Sequence, residues 1–229
     1  NVALTINKES LSAFILPHQL TKKSLKIIKK NFPLIYQQIK QDPDKTFLWL
    51  GRHLDDSKIE KIKNLNCEGI HLVQEPQRYY PFKEMAQIVG FTDIDNNGIA
   101  GIELQFNERL GGHPTKLHLE KDARSGLFYF EKEIKEKGQK GKAVQLTIDS
   151  KLQFFTYEEV KNSVKKFNAA CGSALIMDPV SGEILAMVNY PTFDPNNIPQ
   201  NNLEIIKNKI VTDCYEPGSV IKIFSALAA

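Results

Sequence analysis

Tyr215-Glu216-Pro217-Gly218-Ser219-Val220-Ile221-Lys222 runs into the apolar Ile223-Phe224-Ser225-Ala226-Leu227-Ala228-Ala229, and this stretch decides how the 229-residue chain is read. Proline and glycine interrupt the chain just before a serine, and a helical apolar run follows, so Ser219 is expected in the first turn of a helix. Lys222 stands three residues on, one turn along and on the same side, so its ammonium can approach the serine hydroxyl. A serine hydroxyl is a poor nucleophile until a neighbour accepts its proton. A lysine does so once burial and nearby positive charge lower its pKa. The helix N-terminus supplies that field and offers backbone N–H groups to developing negative charge. Ser219 is therefore the candidate nucleophile and Lys222 the candidate proton acceptor. The S-x-x-K spacing alone says little; the Glu-Pro-Gly before it and the apolar helix after it give it context.

Working outward, Gly172 to Met177 and Ile184 to Val188 are apolar runs joined by Pro179-Val180-Ser181-Gly182, which predicts a β-hairpin. Val144 to Ile148 reads as a strand, and Asp149 as the cap of an amphipathic helix carrying Leu152, Phe155, Val160, Val164 and Phe167. Phe154, Phe155 and Phe167 read as core side chains at helical spacing. The charged, glycine-containing stretch Lys135 to Lys142 marks a boundary, giving domains 1–140 and 141–229.

Before that boundary, Asn1 to Pro17 suits a strand, and Thr21 suits the cap of a helix with Leu25, Ile27, Ile28 and Phe32 at helical spacing. Ile35, Tyr36 and Ile39 mark the buried side of a second helix, Phe47 to Leu50 a strand, and Asp56 the cap of a third helix with Ile59, Ile62 and Leu65. Gly69 to Val73 is a strand and Arg78-Tyr79-Tyr80-Pro81 an extended turn, because the residue before proline avoids the helical region. A helix of about ten residues is expected through Ala86 and Val89. A glycine-rich turn at Gly98 should lead into one helix with Ile102, Phe106 and Leu110 on a single face. Two alternating runs around Asp122-Ala123-Arg124-Ser125-Gly126 predict a second hairpin. Gly98 and Gly101 lack the spacing of a phosphate loop and suit positive-φ turns. Arg78, Glu103 and Arg124 read as polar bridges that hold turns together.

Composition narrows the class. Hydrophobic and charged fractions are globular, and a formal net charge of +3 is too small to argue for nucleic acid. Lysine-rich segments such as Lys22-Lys23 with Lys29-Lys30 read as the solvated face of a helix. Cys67, Cys171 and Cys214 show no ligand spacing, and an odd count forbids a complete disulfide framework. His18, His53, His71, His113 and His118 are scattered, with none paired at the i, i+4 spacing of a helical metal site. No run of about 18 apolar residues is present.

Ser219-Val220-Ile221-Lys222 resembles the first of three motifs in penicillin-binding proteins and serine β-lactamases. Asp213-Cys214-Tyr215-Glu216-Pro217-Gly218-Ser219 is similar to its form in the class B penicillin-binding proteins. Gly172 to Pro179 followed by Gly182 to Met187 resembles the hairpin that opens the family's transpeptidase domain, and Tyr190 to Asn197 the segment after it. Leu146-Thr147-Ile148-Asp149 with Leu152-Gln153 is similar to the strand and helix leading into that domain. Arg78 to Pro81, Gly90-Phe91-Thr92 and Gly98 to Glu103 resemble the non-catalytic pedestal, or dimerisation domain. Phe47 to Leu50 and Gly69 to Leu72 favour the septal, cell-division branch. The resemblance runs over roughly residues 45–229 and departs at Asn208-Lys209, where the family carries Asn-Arg, so a bidentate contact there is weakened.

The resemblance implies an α+β fold: an extended pedestal domain, then the first part of a β-lactamase-like transpeptidase domain. It implies a peptidoglycan D,D-transpeptidase in which Ser219 attacks the stem peptide and Lys222 takes its proton, acylated also by β-lactams. Metal and organic cofactors are not implied. Stem peptides, β-lactams and divisome proteins are the expected partners, and nucleic acid is not. The expected location is the periplasmic face of the bacterial inner membrane, through an anchor that this chain lacks. The family's Ser-x-Asn and Lys-Thr-Gly motifs do not follow Ser219, so the chain alone is expected to be inactive, with the residues around Ser219 poorly fixed. The rival reading is an interaction module that positions a catalytic domain and binds division proteins.

Overall fold

The computed structural model describes residues 2–113, 116–121, 128–136 and 138–228. The chain forms two compact units. One comprises Thr5–Tyr80 with Thr92–Val144; the other comprises Asn1–Leu4, Pro81–Phe91 and Gln145–Ala229.

The first unit is built on strand β1 (Ile6–Ile15), helices α1 (Lys22–Asn31) and α2 (Pro33–Gln41), strand β2 (Leu48–Leu54), helix α3 (Asp56–Asn64) and strand β3 (Ile70–Tyr79). The strands form an antiparallel sheet in the order β2-β1-β3. Ile15 lies opposite both Leu48 and Ile70, and Ala13 opposite Leu72, so the two-residue period puts these on one face. Ala13 and Ile15 are fully buried, as is Ile28 of α1, while Ile59 and Ile62 supply the buried stripe of α3. Truncating such an isoleucine costs about 2–5 kcal/mol. On the opposite face Phe14 stacks on His71 and Phe47, with Trp49 edge-on to both phenylalanines.

Local chemistry sets the ends of these helices. Thr21 Oγ1 accepts from Ser24 N at 3.1 Å and caps α1. The cap of α3 is Asp55, not the expected Asp56: Asp55 Oδ1 accepts from Lys58 N at 2.8 Å, and Asp56 is the first helical residue. Strand β3 runs on through Arg78 and Tyr79, the first half of the turn expected at Arg78 to Pro81. Pro76 is tolerated because β3 is an edge strand, so its missing N–H is not needed there.

Helices α4 (Ala86–Val89), α5 (Gly101–Gln105) and α6 (Asn107–Gly111) are shorter than the spacing suggests. α4 extends a 3₁₀ turn at Lys83–Met85 and stops at Gly90, whose φ is +77°. The single helix expected after Gly98 is split at Phe106; Asn107 begins the second piece, with its Oδ1 accepting from Gly98 N at 2.8 Å. Gly101 does have a positive φ, of +59°, but Gly98 does not. Gly98 is required by space: a Cβ there would lie 2.0 Å from Glu103 O.

Strands β4 (Lys116–Lys121) and β5 (Phe128–Glu136) form the expected second hairpin; its turn, with Arg124, lies outside the described residues. Beyond it Gln139 and His113 exchange both backbone hydrogen bonds, and Lys142 N donates to Arg109 O at 2.7 Å.

In the second unit, helix α7 (Ser150–Phe167) is capped by Asp149, whose Oδ1 accepts from Lys151 N and Leu152 N. Strands β6 (Gly172–Met177) and β7 (Ile184–Tyr190) form the expected hairpin, closed by Asp178 Oδ1 accepting from Val180 N and Ser181 N. The expected strand at Val144 to Ile148 is absent, because that segment meets β7 through isolated bonds instead of a ladder. These are Thr147 Oγ1 to Ile184 O at 2.6 Å and Asp149 N to Leu185 O at 2.9 Å. The stripe of α7 that is buried is Gln153, Tyr157 and Val164. The expectation of Phe154, Phe155 and Phe167 as core is therefore corrected: they are 47%, 64% and 72% exposed.

Gln153 decides that rotation. Its Nε2 donates to Glu84 O and Met187 O, and its Oε1 accepts from Met187 N, at 2.8–2.9 Å. The carboxamide thus takes the place of a neighbouring strand along the outer edge of β7. Because both backbone groups of Met187 point away from β6, its partner Leu175 presents its own N–H and C=O to the opposite, outer edge of β6. No strand lies there among the described residues. A groove of about 580 Å³ runs between α7 and β6, lined by Phe155, Val160, Val164, Phe167 and Ile176.

Candidate active site

The chain reaches Ser219 from β7 through a 3₁₀ turn at Leu203–Ile206 and helix α8 (Lys209–Thr212). Asn208, before α8, is tied to the hairpin: its Oδ1 accepts from Asn189 Nδ2, and its Nδ2 contacts Met187 Sδ. Lys209 then opens α8.

Gly218 has φ +58°, the left-handed region that glycine enters without a Cβ penalty. It starts a 3₁₀ turn, Gly218–Ile221, that continues as α9 (Lys222–Ala228). Lys222 N donates to Ser219 O, so the two residues are three apart in a 3₁₀ turn, where side chains at i and i+3 eclipse. The sequence expectation is refined: Ser219 sits in the 3₁₀ turn and Lys222 is the first α-helical residue. All residues from 211 to 228 are exposed, and Ser219 Oγ has no hydrogen-bond partner among the described residues. The turn places Ser219 and Lys222 three residues apart at a helix start. Cys214, five residues before the serine, is an exposed free thiol.

Arg78 and Glu103, also singled out by sequence, form a structural bridge. Arg78 Nε donates to Glu103 Oε1 at 2.7 Å and its Nη1 to Asn7 Oδ1, with the Glu103 carboxylate buried. Tyr80 is buried nearby, and burial pushes its hydroxyl up to about 12.

A second cluster escaped the sequence reading. Arg52 holds Glu75 through Nε and Nη2 at 3.0 and 2.8 Å, reaches Asp95 with Nη1, and lies over the Trp49 ring. Ser12 Oγ donates to the same Glu75 and accepts from His53 N. Hydrogen bonding from Arg52 holds the Glu75 carboxyl below the ordinary carboxylate range, and burial lowers His53. No sequence signal pointed to it, since Arg52 and Glu75 are 23 residues apart and lie beyond the strands read at 47–50 and 69–73. Among the described residues no group of three or more His, Cys, Asp or Glu side chains is placed to hold a metal ion. No helix there is long and apolar enough to cross a membrane.

Residues 1–146 match the family model of the penicillin-binding protein dimerisation domain, and residues 172–229 match that of the penicillin-binding protein transpeptidase domain. A probable peptidoglycan D,D-transpeptidase of Pseudomonas aeruginosa, PbpC, is 38% identical over 193 residues, covering 84% of this chain and 34% of its own. The peptidoglycan D,D-transpeptidase FtsI of Escherichia coli K12 is 36% identical over 195 residues, covering 84% and 33%. The probable D,D-transpeptidase PenA of Neisseria gonorrhoeae is 35% identical over 182 residues, covering 79% and 31%. The chain thus spans about a third of the length of these curated relatives. The crystal structure of a peptidoglycan synthetase from Bifidobacterium adolescentis superposes with a TM-score of 0.60 at 21% identity, over 97% of this chain and 47% of that one. With its dimerisation domain followed by a transpeptidase segment that contains Ser219 and Lys222, this chain belongs to the penicillin-binding protein family.

Proposed function

We propose that the chain carries the pedestal and the nucleophile-bearing turn of a peptidoglycan D,D-transpeptidase that cross-links stem peptides in the septal wall. The observation that supports this most is the Gly218–Ile221 turn, which sets Lys222 one turn from Ser219 inside the segment matched to the transpeptidase model. In the proposed reaction Ser219 Oγ attacks the carbonyl of the penultimate D-alanine while Lys222 accepts the hydroxyl proton. Collapse of the tetrahedral adduct breaks the peptide bond, and the departing D-alanine amine takes that proton. An amine on a neighbouring strand then attacks the ester, forming the cross-link and regenerating Ser219. A β-lactam acylates the same oxygen by opening its ring.

On this reading residues 1–140 are the pedestal and 141–229 the opening of the transpeptidase domain, held at the periplasmic face of the inner membrane and contacting division proteins. On the same reading the 229-residue chain by itself is inactive, which the exposure of every residue from 211 to 228 supports. That same observation favours the second reading, in which these 229 residues act alone as an interaction and positioning module. Labelling with a fluorescent penicillin tests both. A longer form containing the whole transpeptidase domain is expected to label, the Ser219→Ala variant of it is not, and the 229-residue chain is not. An unlabelled long form refutes the assignment of Ser219 and leaves the module reading.

A further inference from the structure

Helix α1, Lys-Lys-Ser-Leu-Lys-Ile-Ile-Lys-Lys-Asn, contains five lysines and no acidic residue. At about 100° per residue, Lys22, Lys23, Lys26, Lys29 and Lys30 fall within an arc of about 120°. All five are exposed, while Ser24 and Ile28 on the far side are buried. Lys40 of α2 extends the group: Lys29 Nζ and Lys40 Nζ lie 5.8 and 5.4 Å from the ring centre of Tyr36.

The other lysine-rich helices are built differently. In α3 Lys58 pairs with Asp55, and in α7 Lys161 pairs with Glu158, so acids are interleaved with the cations. No lysine of α1 has a carboxylate partner among the described residues. Instead Lys26 repels Lys22, Lys23, Lys29 and Lys30 at i±3 and i±4 spacing. Lys22 and Lys23 also sit at the positive end of the helix, without an acid in its first turn. A face that needs only to be solvated gains nothing from such an arrangement; a face that meets external negative charge does.

We propose that α1, with Lys40, is an electrostatic docking face for a bilayer containing anionic phospholipid. Lysine ammoniums are flexible, strongly hydrated point charges without the planar fork that reads a single carboxylate or phosphate. Spread along a convex helix, they match a diffuse sheet of headgroup charge better than a discrete ligand. Leu34, in the first turn of α2, is 72% exposed and adds an apolar side chain immediately after the basic helix. The proposal concerns the first unit and does not depend on acylation of Ser219.

The test is co-sedimentation of the 229-residue chain with vesicles of phosphatidylcholine alone or mixed with phosphatidylglycerol, at low and high salt. Binding is expected only to the anionic vesicles and only at low salt. The triple variant Lys23→Gln/Lys26→Gln/Lys30→Gln should bind roughly a hundredfold more weakly, at about 1 kcal/mol per lysine. Its thermal melt should be no lower than that of the parent, since it loses repulsion. Equal binding to neutral vesicles, undiminished binding of the triple variant, or no binding at all overturns the proposal. Binding to immobilised polyglutamate at a salt concentration that abolishes vesicle binding also overturns it, in favour of an acidic macromolecule.

Discussion

Replacing Gln153 tests whether one side chain closes the outer edge of β7. The residue is fully buried and makes three hydrogen bonds, two to Met187 and one to Glu84. Gln153→Met keeps the volume and removes all three. Each neutral bond contributes about 1 kcal/mol net, and each backbone group left dry and unpaired costs about 1–3 kcal/mol. The expected loss is therefore about 3–5 kcal/mol, a large part of a typical domain's stability. Gln153→Glu separates hydrogen bonding from volume. Its carboxylate still accepts from Met187 N but turns oxygen lone pairs toward Glu84 O and Met187 O. The introduced acid is then stabilised in its protonated form in the fold, so its folded pKa rises above the unfolded value. Stability of that variant, relative to the parent, should be retained at low pH and lost as pH climbs above about 4.3. Urea melts followed by far-ultraviolet circular dichroism at two pH values read both effects. A loss below about 1 kcal/mol for Gln153→Met, or no pH dependence for Gln153→Glu, refutes the edge-closing role.

Gly98→Ala should be strongly destabilising, by about 3 kcal/mol or more, because its Cβ would meet Glu103 backbone atoms at 2.0–2.3 Å. Gly111→Ala, with nothing within 4 Å, should be neutral or stabilising by about 0.5–1 kcal/mol, and thermal melts of the pair check the contrast. The cluster around Arg52 predicts acid sensitivity of the first unit in two stages. Burial keeps the folded His53 pKa below the ordinary 6.5, so stability should fall as pH drops below that value; His53→Gln should flatten this stage in urea titrations. The Glu75 carboxyl is also lowered, so its contribution is present above the ordinary 4.5 and disappears as pH falls through its folded value. Backbone amides of 218–228 should exchange rapidly in deuterium oxide, since these residues are all exposed; strong protection in a monomer would contradict this.

Features fixed by a few neighbouring residues were legible in the sequence. Thr21 and Asp149 announce their helices, and Pro179 to Gly182 announces the β6–β7 turn, because the groups they satisfy lie within three or four positions. The Ser219–Lys222 spacing was legible for the same reason, down to the glycine that opens its turn. What tertiary contact decides was not. Phe155 and Phe167 keep helical spacing with Val160 and Val164, yet α7 is turned toward Gln153, since that side chain meets the backbone of Met187. Gly98 looked like a turn glycine because its true constraint, the approach of Glu103 O, follows from the chain doubling back. Arg52, Glu75 and Asp95 gave no local sign of meeting, being separated by 23 and 20 residues.

The unequal edges of the β6–β7 hairpin bear on the order of folding. With β7 closed by Gln153, Asp149 and Thr147, the sheet can lengthen only from β6. Any strand that joins there is remote in sequence or belongs to another molecule, so a long loop must close before the ladder rewards it. Until then β6, which carries no charged side chain and no proline, stands as an unguarded template beside the groove of Phe155 and Phe167. While that edge stays open, β6 can pair with a strand of another chain.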